Sequence, residues 1–381
     1  MTLVQGATRA AASGPEHVTE HVAYDAILLA SFGGPEGQDD VIPFLRNVIR
    51  GRGIPEERLE EVAAHYRAFG GVSPINNQNR ELKAAIEAEL ARRGVELPVL
   101  WGNRNWAPYL RDALLEAQQA GYTKLIAFGT SAYSSYSGCR QYREDYATAL
   151  RETGLEGVIQ IDKVRQFFDH PGFVAPFIGG VRDAIAEFES QGFTAEQIQV
   201  LFSTHSIPTA DAERSGPADR GFGPGGAYAA QHLAVAEVVM AGHPQQWSLV
   251  YQSRSGPPSM SWLEPDINDS MAELSARGIR AVVIVPLGFI SDHMEVKWDL
   301  DTEAMQTAKR LGLVAKRVPT PGVHPDFVAG IVDLVLERRD GAPVSKRPAL
   351  TSLGPWYDVC RPGCCENVRL GFAPALAGIA P

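Results

Sequence analysis

Short apolar runs alternate with longer amphipathic stretches along most of this 381-residue chain. The runs are rich in β-branched and other apolar side chains, and they predict strands at residues 26–31, 98–102, 124–129, 157–162, 197–203, 247–252, 280–286 and 313–318. The stretches between them, such as 56–69 and 80–93, carry the amphipathic pattern of helices. Because strands that alternate with helices are typical of parallel βα units, the pattern predicts an α/β protein.

The predicted strands divide into two sets of four. Residues 31–35 follow the first strand as residues 203–208 follow the fifth, and residues 129–133 match residues 286–290 in the same way. These correspondences predict a duplication, in which two similar doubly wound domains face a shared cleft lined by strand-end loops. We expect a disordered leader, an N-terminal domain, a C-terminal domain that ends in a helix near 326–338, and a C-terminal extension, at residues 1–21, 22–165, 166–340 and 341–381.

Length and charge narrow the class of protein. A chain of 381 residues fits two domains, and its formal net charge of −10 argues against nucleic acid or an anionic membrane as the main partner. No apolar run approaches the length of a membrane span, and the first residues lack a basic and then apolar signal pattern. The sequence therefore predicts a cytoplasmic protein without stable membrane insertion.

Three carboxylates follow the seventh predicted strand at regular spacing. Glu295, Asp299 and Glu303 recur every four residues, so an α-helix would place all three along one side. Like charges at this spacing cost a few tenths of a kcal/mol per pair, which favours a compensating cation. Oxygen ligands suit a hard or borderline divalent metal. Most such rows are solvated helix faces, but this row begins at the carboxyl end of a strand, where open α/β sheets place their sites.

One histidine occupies the equivalent place in the predicted fold. His205 lies just after the fifth strand, in the turn at residues 204–208, and the duplicated topology makes it face the carboxylates across the cleft. A neutral imidazole near its ordinary pKa can accept a proton or bind a metal at physiological pH. We therefore predict that His205 is catalytic.

The four cysteines predict a second metal site. Cys139 lies in the first half, whereas the other three crowd into six residues near the end of the chain: Cys360, Cys364 and Cys365. Because a cytoplasmic setting disfavours disulfides, iron–sulfur or other metal ligation is the better interpretation. Zinc is the competing occupant.

Five motifs together resemble the ferrochelatase family, in the family's order and over roughly residues 22–340. The motifs lie at residues 28–35 (Leu-Leu-Ala-Ser-Phe-Gly-Gly-Pro), 70–74 (Gly-Gly-Val-Ser-Pro), 202–208 (Phe-Ser-Thr-His-Ser-Ile-Pro), 251–254 (Tyr-Gln-Ser-Arg) and 286–295 (Pro-Leu-Gly-Phe-Ile-Ser-Asp-His-Met-Glu). The resemblance implies a chelatase-like fold of two Rossmann-like domains, each a four-stranded parallel sheet flanked by helices. It also implies a porphyrin cleft and the insertion of ferrous iron, Fe²⁺, into a tetrapyrrole.

The resemblance also implies roles for individual residues. His205 matches the family's invariant histidine and Glu295 its paired glutamate, and both are expected to contact the metal. Asp299 and Glu303 match an acidic row that delivers metal or removes protons. Phe32 stands where related soluble enzymes carry a tyrosine proposed to contact iron, and a phenyl ring cannot ligate a metal. This substitution strengthens His205 as the metal contact.

Substrate and cluster contacts are implied in the same way. Phe32 and Tyr133 are candidates to clamp the macrocycle, and the propionates are expected to bind Arg50, Arg52, Ser73 and Tyr142. Some ferrochelatases hold a [2Fe–2S] cluster with one internal and three C-terminal cysteines, which implies that cofactor for Cys139, Cys360, Cys364 and Cys365.

The polar segment 75–79 favours a soluble enzyme, which we expect to be monomeric and to act on coproporphyrin III. Protoporphyrin IX is the alternative substrate. Two other classes stay open. A non-catalytic haem or porphyrin carrier or sensor has no need for three carboxylates in a row, and a [2Fe–2S] oxidoreductase lacks a Gly-x-Gly-x-x-Gly motif that opens a βα unit here.

Overall fold

The computed structural model describes residues 16–50, 56–255, 259–366 and 373–378. Within them the chain forms two four-stranded parallel sheets. The first contains β1 (Ala26–Ser31), β2 (Val99–Asn103), β3 (Lys124–Gly129) and β4 (Gln160–Lys163), in the order β2-β1-β3-β4. The second contains β5 (Ile198–His205), β6 (Gln246–Gln252), β7 (Ala281–Val285) and β8 (Val314–Arg317), in the order β6-β5-β7-β8. The two orders correspond, which confirms the predicted α/β fold of two similar halves.

Helices cover both sheets. The described α-helices are α1 (Val41–Val48), α2 (Glu56–Ala68), α3 (Ile75–Arg92), α4 (Leu110–Gln119), α5 (Gln141–Thr153), α6 (Pro171–Ser190), α7 (Thr209–Glu213), α8 (Gly226–Val239), α9 (Ile267–Ala276), α10 (Met305–Leu311) and α11 (Pro325–Arg339). Two π-helices span Tyr136–Arg140 and Val296–Ala304, and short 3₁₀ turns occur at Gln38–Asp40, Ala195–Gln197, Ala218–Arg220 and Val344–Lys346. Every residue of β1 and β7 is buried, as expected for parallel strands covered on both faces.

The predicted strand positions hold, with shifts at the ends. β1 and β3 lie where the pattern placed them, whereas β5 runs two residues farther and includes His205, which pairs with Gln252 across the sheet. β4 begins three residues later than predicted, because Gly157 turns the chain in the left-handed region with a φ of 75°.

Buried ion pairs join the two halves and the C-terminal extension. Between the halves, Arg165 pairs with Asp169 and with Glu337 of α11, each at 2.8 Å. In the extension, Arg347 pairs with Asp358 at 2.6 Å. All of these side chains are buried, so removing one partner would leave an uncompensated charge in the protein interior.

Part of the segment predicted to be a disordered leader is ordered. The backbone N–H groups of Asp358 and Val359 donate to the Glu16 carbonyl at 3.0 and 3.1 Å, and Arg347 donates to the Val18 carbonyl at 2.8 Å. The C-terminal extension therefore folds back over residues 16–18. Residues 1–15 of the predicted leader lie outside the described residues.

Candidate active site

An imidazole and a carboxylate meet at the carboxyl end of the second sheet. His205 is the last residue of β5, and its Nε2 lies 3.4 Å from Glu295 Oε1. Its Nδ1 contacts the Ser206 carbonyl oxygen, so both ring nitrogens face acceptors, which suits the doubly protonated imidazolium. Tyr228 of α8 donates its hydroxyl to the His205 carbonyl at 2.8 Å and fixes the backbone at this point.

His205 and Glu295 shift each other's pKa values in opposite directions. Burial alone would lower the pKa of His205, but the Glu295 carboxylate and its hydrogen bond raise it to about 9. Burial would conversely raise the pKa of Glu295, whereas the imidazolium beside it lowers the value to about 2. Before a metal binds, the pair is therefore ionised at neutral pH, and His205 must lose its proton to become a ligand.

Asp299, the next carboxylate of the row, has a raised pKa, whereas the pKa of Glu295 is lowered. Asp299 Oδ2 accepts hydrogen bonds from the Ser253 hydroxyl and, at 3.3 Å, from Gln252 Nε2. Burial and then the negative charge of Glu295 raise the pKa of Asp299 to about 7, although the Ser253 hydrogen bond and His205 oppose the shift. Asp299 therefore changes its protonation state near neutral pH, which makes it the group of the row best suited to exchange protons.

The helix that carries the row is not the α-helix that the spacing predicted. Val296–Ala304 is a π-helix, in which each N–H bonds to a carbonyl five residues earlier. Glu295 stands at its amino end, and Asp299 and Glu303 lie within it. A four-residue spacing cannot distinguish the two helix types, because in both of them residues four apart lie on neighbouring turns. π-Helical turns are rare in proteins as a whole, but those that occur are often found at functional sites.

The outer end of the row contacts the first half of the chain. Trp298 Nε1 donates to Glu303 Oε1 at 2.9 Å, and its ring stacks on His65 of α2 with centroids 4.1 Å apart and planes inclined by 9°. Phe69 packs against the edge of the same ring at 6.4 Å. The sequence reasoning missed His65 and Trp298, although His65 and Phe69 lie just before the glycine motif at residues 70–74.

Tyr66, the neighbour of His65, is a third residue that the sequence reasoning missed. Its ring packs against Phe44 of α1 with centroids 5.7 Å apart. Burial, with the charges of Glu295 and Asp299, raises its pKa above the ordinary value, so the phenol stays neutral near the carboxylates.

His293 supports the start of the row. Its Nδ1 accepts the backbone N–H of Glu295 at 3.1 Å, which leaves the ring proton on Nε2, and its ring packs against the Phe289 edge at 4.9 Å. Burial lowers the pKa of His293; the Glu295 carboxylate opposes this shift, and the His205 charge adds to it. The site thus combines one charged and one neutral imidazole.

Known proteins resemble this chain over almost its whole length. A family model described as Ferrochelatase matches residues 24–339. This chain belongs to the ferrochelatase family. It is 72% identical to the coproporphyrin III ferrochelatase of Leifsonia xyli subsp. xyli, over 99% of this chain and 100% of that protein. It is 53% identical to the coproporphyrin III ferrochelatase of Streptomyces griseus subsp. griseus, over 93% of this chain and 96% of that protein.

The chain is also similar to solved structures of low sequence identity. SirB from Bacillus subtilis with Fe³⁺ aligns over 86% of this chain and 100% of that chain, at 12% identity and a TM-score of 0.47. The family membership and the metal-chelatase activity that the motifs implied are confirmed by the family model and the relatives.

The aromatic residues predicted to clamp a porphyrin lie in different settings. Phe32 follows β1, is 37% exposed, and packs edge-on against Phe44 at 6.2 Å. Tyr133 is buried, and its ring stacks on His232 with centroids 3.5 Å apart. Phe32 is thus accessible, whereas Tyr133 lies in the core of this ferrochelatase, and its contact with substrate stays a prediction.

The residues predicted to bind propionates are also dispersed. Ser73 is buried, and its N–H donates to the Pro35 carbonyl at 2.9 Å. Tyr142 is buried beneath the Arg104 guanidinium, which lies 4.8 Å from its ring centroid. Arg50 is exposed, donates to an asparagine side chain at 2.5 Å and lines an open pocket of about 270 Å³. Arg52 lies outside the described residues.

That pocket contains more cations than the motifs suggested. Arg104 and Arg111 line it together with Arg50. Arg104 also lies over the Phe32 ring, 5.8 Å from the centroid, and pairs with Asp145 at 2.5 Å. The pocket therefore adjoins the exposed phenyl ring, and its three guanidinium groups suit carboxylate groups.

The polar segment 75–79 has a structural explanation that the sequence reasoning did not foresee. It begins α3, where Asn76 and Asn79 are buried and donate to the loop after β1 and to the Ser31 hydroxyl. Gln78 exchanges two hydrogen bonds with the Asp292 backbone, at 2.8 and 3.4 Å. The segment thus joins the two halves at the cleft, so its polarity is not evidence of a solvated lip.

The four cysteines form one buried cluster. The Sγ atoms of Cys139 and Cys360 lie 4.0 Å apart, those of Cys364 and Cys365 lie 3.7 Å apart, and the Gly216 N–H points at Cys365 Sγ from 3.2 Å. In the part of the chain that the structure describes, no three or more His, Cys, Asp or Glu side chains are arranged to hold a single ion. Cys360 and Cys364 also interact with each other, so the four sulfurs form one connected group.

Among the described residues, no helix is both long and apolar enough to cross a membrane.

Proposed function

We propose that this ferrochelatase inserts Fe²⁺ into coproporphyrin III, with release of the two pyrrole N–H protons. The observation that carries the proposal is the ionised His205–Glu295 pair at the start of a carboxylate row. Relatives at 53–72% identity that carry the name coproporphyrin III ferrochelatase support the substrate. The three arginines of the pocket beside Phe32 support it too, because coproporphyrin presents four carboxylates and protoporphyrin only two.

Metal ligation, charge balance and proton uptake can each be assigned to one residue of the site. His205 ligates Fe²⁺ after it gives up its proton, and Glu295, which is ionised at neutral pH, balances the metal's charge. Asp299, whose pKa is about 7, takes up protons that leave the macrocycle and passes them outward along the row towards Glu303. The cleft favours a distorted ring over the flat one, because a distorted ring exposes its nitrogens to the metal.

We further propose that Cys139, Cys360, Cys364 and Cys365 hold a [2Fe–2S] cluster. Four buried cysteine sulfurs gathered in one cluster match the four thiolates that a [2Fe–2S] centre would need. The Gly216 N–H is placed to hydrogen-bond a ligand sulfur, which is one of the ways proteins tune such centres. When bound, the cluster ties the C-terminal extension to the first half of the chain.

The function is tested by an anaerobic assay that follows the loss of porphyrin fluorescence with Fe²⁺. Coproporphyrin III should be consumed much faster than protoporphyrin IX, and His205→Ala should abolish turnover while porphyrin binding remains. His21→Ala is the matched control, because His21 also contacts a carboxylate, Asp340 at 3.7 Å, but on the surface. Porphyrin binding without turnover by the wild-type protein would instead indicate a carrier.

The cofactor is tested on protein purified without oxygen. It should be reddish brown, with about two irons and matching sulfide per chain. Replacement of any one of the four cysteines by serine should bleach it. A colourless preparation with stoichiometric zinc and no sulfide would refute the cluster and leave the chelatase activity untouched.

A further inference from the structure

Two buried cations lie next to the cysteine cluster without carboxylate partners. Arg143 is 1% exposed and Lys163 is 6% exposed. Arg143 Nε donates to the Leu376 carbonyl at 2.6 Å, and Lys163 Nζ donates to the Val164 carbonyl at 3.2 Å. Arg143 Nη1 has no hydrogen-bond partner among the residues that the structure describes. Among the described residues, neither cation forms an ion pair with an aspartate or a glutamate.

Both cations are placed towards the sulfurs. Arg143 of α5 follows Cys139 by four residues, about one helical turn, so the two side chains lie on the same side of this helical segment. The tail fixes this arrangement, because the Leu376 N–H donates to the Arg143 carbonyl and the Cys360 N–H donates to the Ala377 carbonyl.

Lys163 reaches the cluster from a different element, β4. The end of β4 places its side chain on a small internal cavity of about 20 Å³, which Cys139 also lines. Lys163 also acts electrostatically on Cys360. The two cations thus come from different elements, α5 and β4, and meet at the same group of sulfurs.

An unpaired buried cation costs several kcal/mol, so this site requires negative charge of similar size. Four neutral thiols supply none. Four thiolates around two ferric irons and two sulfides carry two net negative charges, which the two cations balance. Reduction of the centre by one electron adds a negative charge that has no additional partner.

We propose that Arg143 and Lys163 are the counter-charges of the metal–thiolate centre, and that they hold the metal in place and set how readily the centre is reduced. The inference deepens the proposed [2Fe–2S] assignment and rests on it for the second effect. Loss of either cation should make reduction harder and release of the metal easier, because the thiolates then repel one another without compensation.

The test compares Arg143→Met and Lys163→Met with Arg143→Lys, which keeps the charge. Arg140→Met is the matched control. Arg140 is 2% exposed, lies three residues away and also contacts the tail, through the Ala373 carbonyl at 3.0 Å, but it is neutralised by Glu144 at 2.7 Å. A structural loss should therefore affect Arg140→Met and Arg143→Met alike, whereas a charge effect should affect only the latter.

Two quantities are measured on anaerobically purified protein: the midpoint potential, from visible absorption in a redox titration, and the rate of metal release to a chelator. At a fixed potential, the ratio of reduced to oxidised centre should fall about tenfold in Arg143→Met and in Lys163→Met, which is about 59 mV for one electron. Both variants should release metal several times faster. Arg143→Lys and Arg140→Met should stay close to the wild type.

Equal potentials and equal release rates in Arg143→Met and Arg140→Met would overturn the inference. If the protein holds zinc and no sulfide, the cluster assignment fails. The rate of zinc release then tests by itself whether Arg143 and Lys163 help to hold the metal. Faster zinc loss from Arg143→Met and Lys163→Met than from Arg140→Met would support the role of the two cations as counter-charges. Identical rates of zinc loss would refute it.

Discussion

Glu295 raises the pKa of His205 and keeps its imidazole charged near neutral pH, and in the proposed reaction this contact determines when His205 can bind metal. Because the pKa of His205 is raised to about 9, Fe²⁺ must displace a proton from the ring over the whole neutral range. The pair therefore makes the affinity for iron increase with pH. It also keeps the imidazole oriented while the cleft contains no metal.

Glu295→Gln should bring the pKa of His205 back towards its ordinary range, because the partner that raised it has lost its charge. NMR titration of the His205 ring should show its protonation midpoint moving down from about 9. Glu303→Gln is the control, since Glu303 lies two row positions further out and contacts Trp298 instead. A midpoint that stays high in Glu295→Gln would show that burial and backbone contacts, not the carboxylate, set the charge.

The three carboxylates should differ in their kinetic roles. We expect Glu295→Gln to be nearly inactive and Asp299→Asn to lower kcat, because it removes the proton acceptor, whereas Glu303→Gln should mainly raise the KM for iron, by roughly tenfold. Ser253→Ala should raise the pKa of Asp299 further, because the lost hydrogen bond favours the ionised form. The acid side of its pH–rate profile should then move to higher pH.

Ser255→Ala is the control for Ser253→Ala, because Ser255 lies in the same loop but is exposed. It should leave the pH–rate profile unchanged. Equal losses of kcat in all three carboxylate variants, with iron saturation unaltered, would contradict a path along the row.

At the scale of elements, the π-helix matters because it brings one element of the second half into contact with α2 of the first. Trp298 makes this contact by stacking on His65, and the same indole positions Glu303 through its N–H. The outer end of the row is thus fixed by an element that lies far away in sequence.

Trp298→Phe should keep an aromatic ring against His65 and remove the hydrogen bond to Glu303. A hydrogen bond worth about 1 kcal/mol predicts a roughly fivefold rise in the KM for iron with little change in kcat. Trp101→Phe is the matched control, because Trp101 donates a similar hydrogen bond to Asn103 at 3.0 Å in the other sheet. A fall in kcat without a change in KM would indicate that the indole acts on the chemistry and not on metal entry.

At the scale of the whole molecule, buried charges hold the two halves and the extension together. Asp169, fully buried beside Arg165, is the most pH-sensitive member of this group. Burial raises its pKa to about 6 in spite of the Arg165 charge. Because the folded value lies above the unfolded one, the native state binds the proton more tightly, and this contribution to stability is lost as the pH rises through about 6.

Asp169→Asn should therefore gain stability relative to the wild type as the pH rises from 4 to 7, by roughly 1–3 kcal/mol in total. Thermal or urea unfolding of both proteins across this range measures the difference. Asp183→Asn is the control, because Asp183 also pairs with an arginine at 2.8 Å but is exposed. A constant difference between Asp169→Asn and the wild type at all pH values would contradict the titration of Asp169.

The sequence by itself determined the architecture and the end of the sheet at which the predicted site residues lie. The alternation of buried strands and amphipathic helices is a local property, so β1 and β3 were predicted to the residue. The correspondence of strand-end loops indicated the duplication. His205 and Glu295 were found because a parallel sheet collects reactive residues at the carboxyl ends of its strands.

Only the tertiary structure decided which groups meet and which charges they carry. The contact between His65 and Trp298 joins helices that are distant in sequence, and nothing local in either one indicates the other. The four-residue spacing of the carboxylate row fitted an α-helix as well as the observed π-helix. Nothing in the sequence indicated that Tyr133 and Asn76 are buried. The opposite pKa shifts of Glu295 and Asp299 arise from burial and from neighbouring charges, which chemically similar carboxylates acquire only when the chain folds.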